Sequence, residues 1–262
     1  LFLCICAIVS GSDGWEDIED FGIAKLAWLR KYLPYENGIP CHDTIARVIS
    51  RISPEALQKG FLSWIKSVAE LTEGEIIAID GKRSRGSYDR RSRKSALHMV
   101  SAWACENGVV LGQQKTEDKS NEIRAIPALL EMLALKGCIV TIDAMGCQKA
   151  IAQKIVEGGA DYVLALKGNQ GELHDSVTEF FTIALENKFK NVAHGKYAEV
   201  DTGHGRIEER VCYTVSVPDY LQSVTKPWKD LQTFVCVQST REYDDKKETE
   251  IRCYISSLSP NA

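Results

Sequence analysis

Hydrophobic positions follow two different rhythms along the 262 residues. Up to about residue 72 they recur at helical intervals. In GWEDIEDFGIAKLAWLRKYL (14–33), Trp15, Ile18, Phe21, Leu26, Leu29 and Leu33 fall on one face of a helix, which Pro34 and the turn-like ENGIP bring to an end. A second helix is predicted from HDT through IARVISRI, with Asp43 or Thr44 as its cap. A third covers SPEALQKGFLSWIKSVAEL, with Ser53 as N-cap, Pro54 at the first helical position, and Phe61, Ile65 and Val68 on one face. The opening LFLCICAIV is apolar for nine residues, has no basic flank and is too short to span a bilayer. It reads as the cut end of a core helix, and the absence of an initiator Met suggests chain missing ahead of it. Residues 1–72 are thus expected to form a small helical domain.

From Glu75 the period changes. EIIAID reads as a strand. ALHMVSAWACENGVVLGQQKT reads as two strands joined at Glu106-Asn107-Gly108, where Asn-Gly is a strong hairpin signal. A helix follows over NEIRAIPALLEMLAL, with Pro127 in its first turn or at a kink. Next come the buried strand CIVTIDAMG, the glycine-closed helix CQKAIAQKIVEGG, the buried strand DYVLALKGN and the helix GELHDSVTEFFTIALENK. Right-handed crossovers would set EIIAID, CIVTID and DYVLAL parallel in one mixed sheet flanked by helices, an α/β fold. Beyond about residue 196 the chain turns strand-rich again, in RIEERVCYTVSV, LQTFVCVQSTRE and ETEIRCYISSL, with a charged turn at EYDDKKE. Residues 73–262 are read as one domain carrying a β-rich insertion from about 196.

Composition narrows the classes. With 44% hydrophobic and 26% charged residues the chain is an ordinary globular protein, and a formal net charge of −4 excludes one that coats nucleic acid non-specifically. A local basic patch stays possible. The nine cysteines sit mostly in apolar segments without zinc-finger spacing, which predicts reduced thiols in a cytosolic protein.

Against this background Asp80 and Asp143 stand out. Each ends a β-branched run (IIAID, IVTID) and precedes a small residue, Gly81 or Ala144. On parallel neighbouring strands both carboxylates would emerge at the carboxyl edge, where open α/β sheets bind ligands. Two such groups repel unless protonated or bridged by a cation, and oxygen donors with open positions suit Mg²⁺ or Mn²⁺. The plainer alternative is that each Asp caps a turn; the matched pair favours the metal.

Directly after Asp80 comes KRSRGSYDRRSRK, with seven basic residues opposed by Asp89 alone. Lys82, Arg83, Arg85, Arg90, Arg91 and Arg93 are candidate phosphate contacts, and Tyr88 a candidate stacking residue. The competing reading is a solvated loop. Lys167, at the end of DYVLALK, is either a further phosphate contact or part of a plain strand-to-helix loop. Cys147 lacks a local His partner and is read as structural. The five histidines have no metal-ligand spacing, and GHGRIEER looks like a polar strand edge.

IDGKRSRGSYD, ALHMVSAWACENGVVLGQQK, KSNEI, IVTIDAMGCQK, DYVLALKGNQ and GHGRIEER together closely resemble the insertion-sequence DDE transposases of the H-repeat-associated (ISAs-type) branch. ENGIPCHDTIARVISRISPEA resembles that family's N-terminal associated domain. The resemblance implies an RNase H-like catalytic domain in which three acids hold two Mg²⁺ or Mn²⁺ ions, with Asp80 as the first acid and Asp143 as the second. Double-stranded DNA, both transposon ends and target, would be the partner of an active homo-oligomer in the bacterial cytoplasm at the nucleoid, with no membrane involved. The stretch after 196 looks like the family's β-insertion. The third acid, a Glu, belongs to a helix beyond YISSL, whereas this sequence stops at YISSLSPNA. Glu208 and Glu250 lie on strand-like segments and are poor substitutes. The readings therefore stand as a transposase, a remnant that keeps only DNA binding or oligomerisation, or a nuclease without strand transfer.

Overall fold

A computed structural model of the protein describes residues 1–69, 72–83, 98–116, 122–203, 206–243 and 246–260. The chain divides into two compact units, Leu1–Ser67 and Val68–Ala262.

The first unit is helical: α1 (Phe2–Val9), α2 (Trp15–Leu29), α3 (His42–Ile49) and α4 (Pro54–Val68), whose last residue lies past the unit boundary. LFLCICAIV is helical, and α1 buries Leu3, Cys4 and Ala7 against Ile18, Leu29 and Ile45. α2 stops at Leu29, which leaves the predicted face residue Leu33 exposed beyond it. The cap of α3 differs from the expectation of Asp43 or Thr44. Cys41 is the N-cap, and Glu19 reaches across from α2 to accept the His42 backbone N–H and bond its ring Nδ1, both at 2.7 Å. Those bonds hold the Glu19 carboxyl below its usual range and raise His42. A carboxylate from a neighbouring helix can satisfy free amides as a local cap does. α4 starts as predicted, with Ser53 Oγ accepting the Ala56 N–H at 3.2 Å, but of its predicted apolar face only Ile65 is buried.

The second unit is built on one nine-stranded mixed sheet in the order β3-β2-β1-β4-β5-β9-β8-β7-β6. Its strands are β1 (Ile76–Arg83), β2 (His98–Ala104), β3 (Val109–Thr116), β4 (Ile139–Ile142), β5 (Asp161–Leu166), β6 (Gly195–Gly203), β7 (Arg206–Ser216), β8 (Thr233–Tyr243) and β9 (Lys246–Ser256). The helices are α5 (Glu122–Met132), α6 (Lys149–Glu157), α7 (Gly171–Glu186) and the short α8 (Gln222–Thr225). β1, β4 and β5 are parallel, as expected; the other pairings are antiparallel.

The predicted hairpin joins β2 to β3, with Gly108 at φ +64°. Its turn is held by Glu75, whose buried carboxylate accepts the backbone N–H of Glu106 (2.9 Å) and Asn107 (3.3 Å) and the Asn107 side-chain amide (2.8 Å). Three donors to one buried carboxylate offset its desolvation.

The outer strands depart from the sequence reading in two places. β6 went unpredicted because its apolar residues do not mark a core face: Tyr197 and Val200 are 65% and 64% exposed. β7, read as a polar edge, is interior, paired with β6 on one side and β8 on the other. The β6–β9 meander joins the rest of the sheet where β9 pairs with β5. Buried serines weld that joint: Ser256 Oγ donates to the Tyr162 carbonyl at 2.8 Å, and Ser257 Oγ accepts the Tyr162 N–H at 2.9 Å. Among the described residues no helix is long and apolar enough to cross a membrane.

Candidate catalytic cavity

Register brings the two aspartates together. Ile79 of β1 is level with Ile142 of β4, and Ile142 with Leu164 of β5. One residue further, Asp80 and Asp143 leave that row side by side at the carboxyl edge of the parallel strands, both exposed. Strand alternation assigns the faces. Ile77, Ile79, Val140, Ile142 and Leu164 share the buried face, and Asp80, Thr141, Asp143, Val163, Ala165 and Lys167 fall on the other. Ala165 pairs with Tyr254, so this second face continues into β9 through Tyr254, Arg252 and Glu250.

At the carboxyl edge of these strands lies a cavity of about 670 Å³, lined by Asp80, Asp143, Lys167, Glu250 and Arg252, with His174, Thr178 and Phe181 of α7 closing another side. The cavity owes its depth to unequal strand lengths. β5 ends at Leu166, opposite Cys253, while the residues of β9 from Lys246 to Arg252 run on past it and form a wall.

Asp143 is held by its own loop, with Oδ1 accepting the backbone N–H of Met145 at 3.1 Å and Gly146 at 3.4 Å. The turn-capping alternative is therefore physically present, and it fixes the carboxylate at the cavity rather than removing it. The loop is pinned from its neighbour. Asn169 Nδ2 donates to the Ala144 carbonyl at 2.8 Å and Gln170 Nε2 to the Cys147 carbonyl at 2.6 Å. The sequence places Asn169 and Gln170 only in a strand-to-helix loop; two amides at a βα turn were the available signal. Gly146 is required by contact, since a Cβ there would stand 2.2 Å from Ile142 Cγ2. At Gly81 a Cβ would meet only the carboxyl end of the Glu122 side chain, which can shift aside.

The basic run begins differently from the expected loop. β1 continues past Asp80 to Arg83, paired with β2 up to Arg83 opposite His98. Lys82 is therefore a strand residue, exposed and on the same face as Asp80. Arg85, Arg90, Arg91 and Arg93, with Tyr88 and His204, lie outside the described residues. Lys167 does reach the cavity. Cys147 is fully buried, which pushes its thiol up to about 12 and leaves it no nucleophile at neutral pH.

On the β9 wall, Arg252 clasps Glu250 with two bonds, Nε to Oε1 at 2.9 Å and Nη2 to Oε2 at 3.0 Å. Arg241 of β8 stands 3.9 Å from the same carboxylate. Arg252 first, then Arg241 and Lys167, hold the Glu250 carboxyl below its usual range. Charge continues outward on this face. Arg241 also meets Glu208 at 3.3 Å, Arg210 meets Glu208 at 3.0 Å, and Arg210 meets Glu199 of β6 at 3.2 Å. Burial works to raise the Glu208 carboxyl, and the two guanidiniums outweigh it, so the net shift is downward. The period-two charges of RIEER and ETEIR encode this row, which was legible only once strand order was known.

Two models cover most of the chain: DDE_Tnp_1-associated over residues 1–65 and the transposase DDE domain over 71–249. The chain belongs to the DDE transposases. Its relatives place it in the H-repeat-associated branch. It is 49% identical to "Putative transposase YncI" of Escherichia coli O157:H7 over 100% of this chain and 67% of that one. It is 47% identical to "H repeat-associated putative transposase YhhI" of E. coli K12 over 98% and 68% of the two chains. "H repeat-associated putative transposase YbfD" of the same strain is 48% identical, over 86% of this chain and 88% of that one. A solved structure of a piggyBac transposase synaptic complex with hairpin DNA aligns with 94% of this chain and 52% of that one, at TM-score 0.40 and 11% identity, a likeness too slight to carry structural detail.

DDE transposases generally use divalent metals. The donor set at this edge fits such an ion: two carboxylates supply hard oxygen ligands, and the cavity leaves room for water and phosphate oxygens to complete the shell. Among the described residues no group of three or more His, Cys, Asp or Glu side chains gathers closely enough to hold a metal.

Proposed function

We propose that this chain binds double-stranded DNA over the charged face of its sheet and contributes Asp80 and Asp143 to the divalent-metal site of a DNA strand-cleavage and strand-transfer reaction. The carrying observation is the parallel register that sets both aspartates at one edge of one cavity. The strand order supports an RNase H-like reading, with an antiparallel β3-β2-β1 meander extended by parallel β4 and β5. In this reading β6–β9 are the insertion, and their overhang makes the second wall.

The chain's own residues divide the work. Asp80 and Asp143 would hold the ions, which when bound would supply an activated water and positive charge to stabilise the leaving 3′ oxygen. The Met145 and Gly146 amides fix Asp143, while Asn169 and Gln170 keep its loop in place. Lys167 and Lys82 present positive charge to the phosphates on either side of the scissile bond.

The test is Mn²⁺ binding followed by calorimetry or paramagnetic resonance, alongside DNA binding in EDTA. D80N and D143N should each weaken Mn²⁺ binding by roughly tenfold or more, by analogy with the loss of a metal ligand, while binding DNA in EDTA at least as well as the parent. Undiminished Mn²⁺ binding in both variants would sink the metal assignment.

A further inference from the structure

We infer that the overhanging wall of β9 carries a DNA-phosphate site, built from Arg252 with Arg241 and Lys167, which the Glu250 carboxylate fills until a phosphate displaces it. This deepens the proposed reading of the chain as DNA-binding and rests on it.

The cavity is electrically divided. Asp80 and Asp143 stand on the rim formed by β1 and β4; on the wall opposite, Arg252 grips the Glu250 carboxylate, Arg241 of β8 stands 3.9 Å from it, and the positive charge of Lys167 reaches it from the end of β5. A phosphodiester entering the cavity meets repulsion from the first side and attraction from the second. Register keeps everything on one face of the sheet, since Glu250 and Arg252 alternate in step with Tyr254, the partner of Ala165.

Glu250 is a credible placeholder on chemical grounds. The planar fork of Arg252 that grips its two oxygens matches two oxygens of a phosphate equally well. The carboxylate side chain is 46% exposed and that of Arg252 55%, so the pair is solvated and contributes little to the fold. Glu208, further along the same charged row, shows the contrast. Its side chain is 4% exposed between Arg210 and Arg241, where it cannot leave without stranding buried charge. Displacing Glu250 frees a guanidinium already aimed into the cavity and leaves the Glu208 cluster intact.

Titrating a short fluorescent DNA duplex in EDTA across a series of salt concentrations tests this. E250Q should bind roughly three- to tenfold tighter than the parent at low salt, with a log–log salt slope steeper by about one ion. R252A should bind more weakly with a slope shallower by about one, and E250Q/R252A should match R252A. R252K keeps the charge without the fork and should fall between the parent and R252A. Thermal unfolding of each variant shows that a lost affinity is not a lost fold. If the parent binds DNA with a clear salt dependence and E250Q binds no tighter, the placeholder is wrong while the DNA-binding reading survives. If neither parent nor E250Q binds duplex at low salt, both ideas fall together.

Discussion

The centre and the outer half of the sheet solve the same problem in opposite ways. β4 has four residues and β5 six, and each buries alternate apolar side chains completely or nearly so. β7, β8 and β9 have eleven residues each and lean on long ladders of backbone bonds and cross-strand pairs. Their charges differ in the same sense. The centre gathers like charges, Asp80 beside Asp143, whereas the outer strands alternate Glu199, Arg210, Glu208, Arg241, Glu250 and Arg252. Gathered carboxylates cost stability until a cation joins them. Alternating charges hold neighbouring strands in register. One half of the sheet gathers like charge at an open edge, and the other pairs opposite charges within itself.

Trading side chains between the halves tests the contrast. Leu164→Ala empties a fully buried position in β5 and should cost about 2–5 kcal/mol by denaturant titration. Val200→Ala in β6, at a 64% exposed position, should change stability by no more than about 0.5 kcal/mol. Equal losses would erase the distinction. Gly146→Ala should come next, at about 1–3 kcal/mol, because the new methyl meets Ile142 beneath the Asp143 loop. The effect expected in the ion row is best seen through pH. The Glu208 carboxyl is lowered in the folded chain, so its contribution is present above the unfolded carboxyl value of about 4.3 and is lost as pH falls through the folded value. E208Q should therefore be less stable than the parent at neutral pH, with the gap closing in acid. Parallel stability curves for the two would mean the row contributes nothing.

How much of this was legible follows the same division. The central strands announced themselves as short, β-branched apolar runs, IIAI, CIVTI and YVLAL, although only alternate positions are fully buried. Asp80 and Asp143 could be paired from sequence because the crossover rule fixes strand direction. The outer half was harder. Cross-strand partners are far apart in the chain, so nothing near RIEER says that Glu208 meets Arg241. The α3 cap failed for the same reason, as Glu19 arrives from another helix. The continuation of β1 through Lys82 and Arg83 was hidden because a strand paired on one side only can carry charge where a buried strand cannot.

The place of β9 in the chain has a consequence for synthesis. β5 is made long before β9, and the β6–β8 meander is complete before β9 appears. Until β9 emerges, β5 and β8 each offer an open edge, and an apolar strand with an open edge invites pairing with another chain. β9 then enters between them, bonding to both at once, with Ser256 and Ser257 sealing the seam. The nascent molecule is therefore two half-sheets awaiting one zip, and the stage most exposed to aggregation is the interval just before it closes.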